Sequence, residues 1–166
     1  MQESKVARPQ VDVRLTVNGR EHELRIEPRQ TLAELLRGPL ALTGTKVSCD
    51  SQVCGSCTVL VDGLTVSSCT YLAADADGRD VRTVEGLANP ETGELTVLQQ
   101  SFIDYAAFQC GFCTPGFLIT ASSLLEETPR PTREQVIEGL EGNICRCTGY
   151  QQIVDAVMAA AERSAS

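Results

Sequence analysis

Eight cysteines constrain this 166-residue chain more than any other feature of its sequence. Their share, about 5%, lies below the roughly 8 to 10% typical of small secreted disulfide scaffolds. The first ten residues lack the apolar run of a secretory leader, and no stretch approaches the roughly 18 apolar residues of a membrane span. We therefore expect a cytoplasmic protein without a membrane span, whose cysteines bind metal rather than each other.

The first four cysteines have the spacing of a known type of metal loop. Four residues separate Cys49 from Cys54, two separate Cys54 from Cys57, and eleven precede Cys69. Plant-type [2Fe-2S] ferredoxins use this x4/x2 spacing, in which one tight loop supplies three thiolates. Gly55 allows the backbone of the loop to approach a cluster closely, and the loop amides are free to point at sulfur.

The second four cysteines lie in two separated short segments. Cys110 and Cys113 are followed, after 31 intervening residues, by Cys145 and Cys147. We expect each pair beside a helix end, with Cys110 closing one helix, because the unpaired amides at helix N-termini favour an anionic group. The Cys-x-Cys spacing is tighter than the two to four residues usual in zinc sites.

The residues alone leave other chemistry open. Two structural zinc sites would use the same eight side chains, whereas four disulfides fit neither the compartment nor the chain length. His22 is the single histidine, so a site with two histidine ligands, including a Rieske centre, is excluded within this chain. The net charge of −8 argues against a nucleic-acid partner.

Hydrophobic periodicity predicts an α+β fold. Residues 11–17 and 24–26 alternate around an Asn-Gly turn, a second strand pair is expected at 58–62 and 64–68, and another strand at 81–84. A capping box from Thr31 to Glu34 predicts a short helix between the hairpins. Turn residues at 86–93 then precede a change of the apolar period from 2 to 3.6.

Four helices are predicted after this turn-rich segment. The first has an apolar face of Leu95, Leu98, Phe102 and Ala106, the second has Thr114 as its N-cap, and the third opens with a capping box at Thr132. Short connections favour an antiparallel bundle. The predicted organisation is a mixed sheet domain at 9–86 that contains the first four cysteines, a linker at 87–93 and a helical domain at 94–163 that contains the second four.

Several motifs carry a family resemblance. The sequences QCGFCTPG at 109–116 and GNICRCTGY at 142–150, with GTK at 44–46 and CGSCT at 54–58, resemble the iron-sulfur subunit of molybdenum hydroxylases, the xanthine oxidase family. The resemblance extends from residue 11 to residue 160. It implies an N-terminal β-grasp ferredoxin-like domain followed by a C-terminal four-helix bundle domain, with one [2Fe-2S] cluster in each.

The resemblance also implies a function and partners. The protein would be the electron-transfer subunit of a heteromeric oxidoreductase, passing electrons from a molybdenum-pterin centre through two clusters to FAD. A large molybdenum-pterin subunit, which recognises the substrate, and a medium FAD subunit would assemble with it as a dimer of heterotrimers. A free-standing two-cluster ferredoxin and a zinc-binding interaction module are the alternatives.

Positions carried over from the family define the expected site. Gln109 would contact the molybdenum pterin, and the aromatic residues Phe112, Phe117 and Tyr150 would lie near partner interfaces. The cluster nearest molybdenum would be held by Cys110, Cys113, Cys145 and Cys147, and the cluster facing flavin by Cys49, Cys54, Cys57 and Cys69. The chain departs from the family at Ser48, Gln52 and Ser56, whose side chains add possible hydrogen-bond donors near sulfur.

Overall fold

The computed structural model describes residues 8–164. Residues 1–7, which bear on the expectation that the chain has no secretory leader, lie outside this range. Within it the fold is mixed α/β, with a five-stranded sheet and five α-helices. The elements are, in order, β1 (Val11–Val17), β2 (Arg20–Ile26), α1 (Leu32–Arg37), β3 (Thr58–Val61), β4 (Leu64–Ser67), β5 (Asp80–Arg82), α2 (Val97–Asp104), α3 (Thr114–Glu127), α4 (Arg133–Gly139) and α5 (Gln151–Ser164).

The sheet is built from the two predicted hairpins. Its strand order is β2-β1-β5-β3-β4, with β1 antiparallel to β2, β3 antiparallel to β4, and β5 parallel to β1. Both hairpin turns place two successive residues at positive φ, as type I′ turns require: Asn18 with Gly19, and Asp62 with Gly63. Alternate residues of β1 are buried against the apolar side of α1.

The last strand is shorter than its sequence indicates. The prediction placed it at 81–84, whereas β5 ends at Arg82 and a 3-10 turn covers Val84–Gly86. Thr83 between them is held by Asn18, which accepts from its backbone N–H and donates to its hydroxyl, both at 2.9 Å. These two bonds take the place of the backbone hydrogen bonds to a neighbouring strand that would have extended β5.

The second half contains the four expected helices. Helix α5 packs against α2 and α4, and α3 packs against α4 and also against strands β3 and β4. Buried side chains from all four helices form one core. Among the described helices, none has the length and apolar character that crossing a membrane requires. The boundaries at 9–86, 87–93 and 94–163 remain a prediction.

Two helix ends differ from the predictions. Helix α2 starts at Val97 because Thr96 and Gln99 form a capping box, and it ends at Asp104, so the proposed shared face from Leu95 to Ala106 is wrong. Leu95 is exposed. Ala106 has a φ of +48°, which is incompatible with a right-handed α-helix. Cys110 therefore lies in a loop and does not close a helix.

The predicted cap of α3 is also displaced by one residue. Cys113 occupies the N-cap position, while Thr114 is the first residue of the helix and Pro115 follows. The Thr114 hydroxyl is buried and has no hydrogen-bond partner within the described residues. The N-terminus of α3 is thereby placed directly at one of the candidate metal ligands.

The capping box of α4 offers a test of the local stability rules. Thr132 accepts from the N–H of Gln135, whose side chain accepts from the N–H of Thr132. Loss of such a cap costs about 1 kcal/mol, so Thr132→Ala should lower the thermal unfolding midpoint by about 2 to 4 °C. Thr128→Ala is the control. Thr128 follows the C-terminus of α3, where the backbone amides already have partners within the helix, so no side-chain cap for a donor is lost. Equal shifts in both variants would contradict the assignment.

Candidate metal centres

The loop before β3 wraps around the sulfur of Cys49. Backbone N–H groups of Val53 and Cys54 each donate to Cys49 Sγ at 3.4 Å. Positive φ angles at Asp50, Gln52 and Gly55 turn the chain so that these amides face inward. The predicted use of free loop amides as donors to sulfur is therefore found in the structure.

The hairpin formed by β3 and β4 brings the fourth cysteine to this loop. Pairing of Thr58 with Ser67 continues one residue further, where the Ser68 hydroxyl donates to the Cys57 carbonyl at 2.6 Å. Cys57 and Cys69 are both buried, and Cys69 lies close enough to influence the pKa of the Cys57 thiol. The first quartet is thus gathered from a loop and from the end of a strand.

Burial and hydrogen bonding move the thiol pKa values of this quartet in opposite directions. Donation by the amides of Val53, Cys54 and Ser51 lowers the pKa of Cys49 to about 6. Burial, followed by the neighbouring thiol of Cys69, raises the pKa of Cys57 to about 11. Amides that stabilise a thiolate at Cys49 would stabilise the negative charge of a bound cluster in the same way.

The second quartet forms two close pairs. The sulfur atoms of Cys110 and Cys147 are 3.7 Å apart, and Cys145 lies close enough to Cys113 to raise the pKa of its thiol. Cys145 Sγ accepts from the N–H groups of Cys147 and Thr148, both at 3.4 Å, and from the Thr148 hydroxyl at 3.2 Å. Two loops far apart in sequence therefore bring their cysteines together in pairs.

Burial, hydrogen bonding and neighbouring thiols also shift the thiol pKa values of the second quartet. Burial, and then contact with Cys145, raises the pKa of Cys113 to about 12. Burial also acts to raise the pKa of Cys145, but donors from Thr148 and Cys147 outweigh it, so this pKa lies below its usual value. The adjacent Cys110 thiol raises the pKa of Cys147. A cationic centre among the sulfurs would favour the thiolate form of Cys113 and Cys147.

Tyr150 supports this site in a way that sequence reasoning missed. Its hydroxyl accepts from the backbone N–H of Cys145 at 3.1 Å, and its ring meets Phe117 edge-on with centroids 6.3 Å apart. Phe117 is completely buried, so the expectation that it lies at a partner interface is wrong. Phe112 and Tyr150 are exposed. In the sequence, the hydroxyl-bearing residues Thr148 and Tyr150 directly after the last cysteine could have indicated this supporting role.

Gln109 connects the two segments of the second site. Its exposed side chain donates from Nε2 to the carbonyl oxygen of Cys147 at 3.1 Å, across 38 residues of sequence. Arg146, between the two final cysteines, is exposed. The structure therefore brings Gln109 to the rim of the quartet.

The three residues near the first quartet that differ from the family pattern have different structural roles. Ser56 is buried, and Cys54 Sγ donates to its hydroxyl oxygen at 3.6 Å, so this side chain reaches a sulfur but accepts the hydrogen bond. The side-chain oxygen Oε1 of Gln52 accepts a hydrogen bond at 3.2 Å from the hydroxyl of Thr70, which directly follows Cys69. Ser48 is exposed.

The donor set fits [2Fe-2S] clusters. Between residues 8 and 164, no three His, Cys, Asp or Glu side chains converge as the ligands of one metal ion do. The thiols of Cys110 and Cys147 instead form a close pair, and amide or hydroxyl donors contact the sulfurs of Cys49 and Cys145. Four cysteines with hydrogen bonds to sulfur are the typical environment of such a cluster.

Thiol reactivity should report this electrostatic arrangement directly. In the cluster-free chain, Cys49 should react with iodoacetamide with a half-maximal rate near pH 6, because only the thiolate attacks. Cys113 is the internal control and should react slowest at neutral pH, since its pKa is raised to about 12. Mass spectrometry of peptides after timed labelling measures both. Equal rates for the two cysteines at pH 7 would refute the assignment.

Two cysteine quartets with donors to sulfur are the pattern expected of a protein with two iron-sulfur centres. A family described as "2Fe-2S iron-sulfur cluster binding domain" matches residues 15–88, and one described as "[2Fe-2S] binding domain" matches residues 83–158. The chain is 53% identical over 148 residues to the nicotine 6-hydroxylase small subunit of Paenarthrobacter nicotinovorans, covering 89% of this chain and 88% of the relative.

Further comparisons agree. The xanthine dehydrogenase iron-sulfur-binding subunit of Escherichia coli O157:H7 is 44% identical, covering 89% of this chain and 92% of that subunit. The crystal structure of quinoline 2-oxidoreductase from Pseudomonas putida 86 matches with a TM-score of 0.89 and 47% identity, over 94% of this chain and 96% of the matched chain. The chain therefore belongs to the small iron-sulfur subunits of the molybdenum hydroxylase family.

Membership establishes the general function. The protein is an electron-transfer subunit of a heteromeric oxidoreductase complex and carries two [2Fe-2S] domains. Molybdenum-pterin and FAD in partner subunits are consistent with this family. The predicted class, function and cofactors are confirmed, and iron-sulfur chemistry replaces the zinc alternative.

Proposed function

We propose that each cysteine quartet holds one of the two clusters. When bound, the clusters accept and donate single electrons. One cluster is held by Cys49, Cys54, Cys57 and Cys69, and the other by Cys110, Cys113, Cys145 and Cys147. The observation that carries this assignment is the meeting of two distant loops, at which the sulfurs of Cys110 and Cys147 are only 3.7 Å apart.

The chain's own residues prepare each site for a negatively charged group. Amides of Val53 and Cys54 donate toward Cys49, and Thr148 donates twice toward Cys145. Such donors stabilise the reduced state most, because it carries the larger negative charge, and therefore raise the reduction potential. Ser56 beside Cys54 extends the polar surroundings of the first quartet.

The two quartets are proposed to face different partners. The second quartet, with exposed Cys110, Cys147, Phe112 and Tyr150 around it, would face the large molybdenum-pterin subunit, because exposed aromatic residues commonly anchor such contacts. The first quartet, beside the exposed side chain of Val53, would face the medium FAD subunit. The assembly would be a dimer of heterotrimers in the cytoplasm.

The finer domain description is part of the same proposal. The sheet with α1 would form the β-grasp ferredoxin-like unit, and α2 to α5 would form the four-helix bundle unit that follows it. The strand order and the shared core of the four helices support these two units.

Metal analysis of the native complex tests the function. The complex should contain about four irons per copy of this chain and show two distinct electron paramagnetic resonance (EPR) signals after reduction. Co-elution of the chain with molybdenum and flavin is expected on size exclusion. A lone species near 17.9 kDa would favour the free-standing ferredoxin, and about two irons per chain would refute the quartet assignment.

The proposed pterin contact of Gln109 has its own test. Gln109→Ala should slow substrate-dependent reduction of the second-quartet cluster by about fivefold, because one hydrogen bond along the path is lost. Gln100→Ala removes a glutamine whose side chain bonds to Asp104 on α2 and should leave the rate unchanged. Rapid-freeze EPR follows the cluster signal. Equal rates in both variants and in the parent complex would exclude the contact.

A further inference from the structure

The two cysteine-bearing loops touch each other directly. The N–H of Ile144 donates to the carbonyl oxygen of Cys54 at 2.9 Å, and Nδ2 of Asn143 donates to the carbonyl oxygen of Gly55 at 3.0 Å. Ile144 immediately precedes Cys145. Two consecutive residues of the second site therefore hold two consecutive residues of the first.

The junction is closely packed. Asn143 is only 4% exposed. A Cβ on Gly55 would collide with the Gly142 carbonyl and the Asn143 amide, and a Cβ on Gly116, in the first turn of α3, would collide with the Gly55 carbonyl. Glycine at both positions is what allows the two loops to meet at the Asn143 side chain.

The Gly55 carbonyl is held from both sides of the junction. It accepts from the Thr58 N–H at 3.1 Å and from the Thr58 hydroxyl at 2.7 Å, both within its own loop, and from Asn143 across the junction. The peptide units of residues 54 and 55 lie between the cysteines at 54 and 57. Their orientation therefore sets the relative placement of those two sulfurs.

We propose that Asn143 is a positioning residue for the cluster of the other domain. It holds the backbone at 54–55 so that Cys54 and Cys57 keep the separation their cluster needs, and it thereby makes retention of the first-quartet cluster depend on the helical half of the chain. This inference rests on the proposed assignment of the quartets. It couples the two sites through a buried contact rather than through either cluster's own ligands.

Asn143→Asp, in the native complex, is the sharpest variant. It keeps the side-chain volume but removes the donor and places a carboxylate oxygen against the Gly55 carbonyl. The first-quartet EPR signal should change in shape, and the iron chelator bathophenanthroline should remove that cluster about fivefold faster. Asn143→Ala, which avoids the repulsion, should act in the same direction more weakly and covers the case in which the aspartate variant does not assemble.

Matched variants identify the signals and control for destabilisation. The signal missing from Cys69→Ser belongs to the first quartet, and the signal missing from Cys147→Ser belongs to the second. Asn18→Asp is the control because Asn18 also donates from a part-buried amide, to Thr83 at 2.9 Å, but touches neither quartet. It should leave both signals unchanged.

The outcomes separate this inference from the function on which it rests. A changed first-quartet signal in the Asn143 variants, with Asn18→Asp unchanged, supports positioning across the junction, whether or not the second signal also responds. A response confined to the second-quartet signal, no response, or an equal response in Asn18→Asp overturns it. Absence of two signals from the unsubstituted complex would instead refute the quartet assignment.

Discussion

Cys147→Ser is expected to remove one cluster and leave the fold in place. Cys147 is exposed and lies outside any helix, but its sulfur is 3.7 Å from Cys110 in the second quartet. Serine is a poor ligand for iron in place of a thiolate. Iron should fall from about four to about two per chain, and one of the two EPR signals should disappear.

The same variant should interrupt electron transfer in the complex. Substrate-dependent reduction of FAD should fall by more than about tenfold, because a missing carrier lengthens the path between the partner cofactors. Ser122→Ala, which removes one hydroxyl inside α3, serves as the control and should retain full iron content. Iron close to four in Cys147→Ser would show that this cysteine is not a ligand.

Phe117→Ala should cause the largest loss of stability. Phe117 is completely buried in the core of the helical half, and its ring contacts Tyr150, whose hydroxyl supports Cys145. Truncating a buried phenylalanine costs about 3 to 5 kcal/mol, which corresponds to a drop of about 10 °C in the thermal unfolding midpoint. The second-quartet EPR signal should broaden, since the support of the Cys145 backbone is weakened.

Phe112→Ala is the matched control for this experiment. Phe112 is 44% exposed, so its removal should change the stability of the isolated chain by less than about 1 kcal/mol. Its effect should appear instead as weaker co-purification with the partner subunits. Similar losses of thermal stability in the two variants would contradict the structural assignment of Phe117 to the core.

Features set by neighbouring residues were predictable from the sequence. The Asn18-Gly19 and Asp62-Gly63 turns appear where they were expected, because positive φ at two successive positions suits those residue types. The capping boxes at Thr31 and Thr132 also form as predicted. Each of these features requires contacts across no more than a few residues.

The errors arose where tertiary contacts compete with local patterns. Apolar spacing alone extended α2 toward Cys110, whereas the chain leaves the helix at Tyr105 and turns through Ala106. Phe117 was expected near a partner interface because it is aromatic, but on α3 it is buried in the core. Composition cannot distinguish a core position from an interface position, since both remove an apolar side chain from water.

The cysteine spacing by itself determined the two candidate ligand sets and favoured iron-sulfur over zinc chemistry, because ligand type and spacing are local properties. Only the tertiary structure decided which sulfurs face each other and that the two loops share a junction. The bond from Asn143 to Gly55 joins residues 88 positions apart. Such a contact forms only when the helical half packs on the sheet, since ordering so long a loop must be offset by packing distributed over the whole interface.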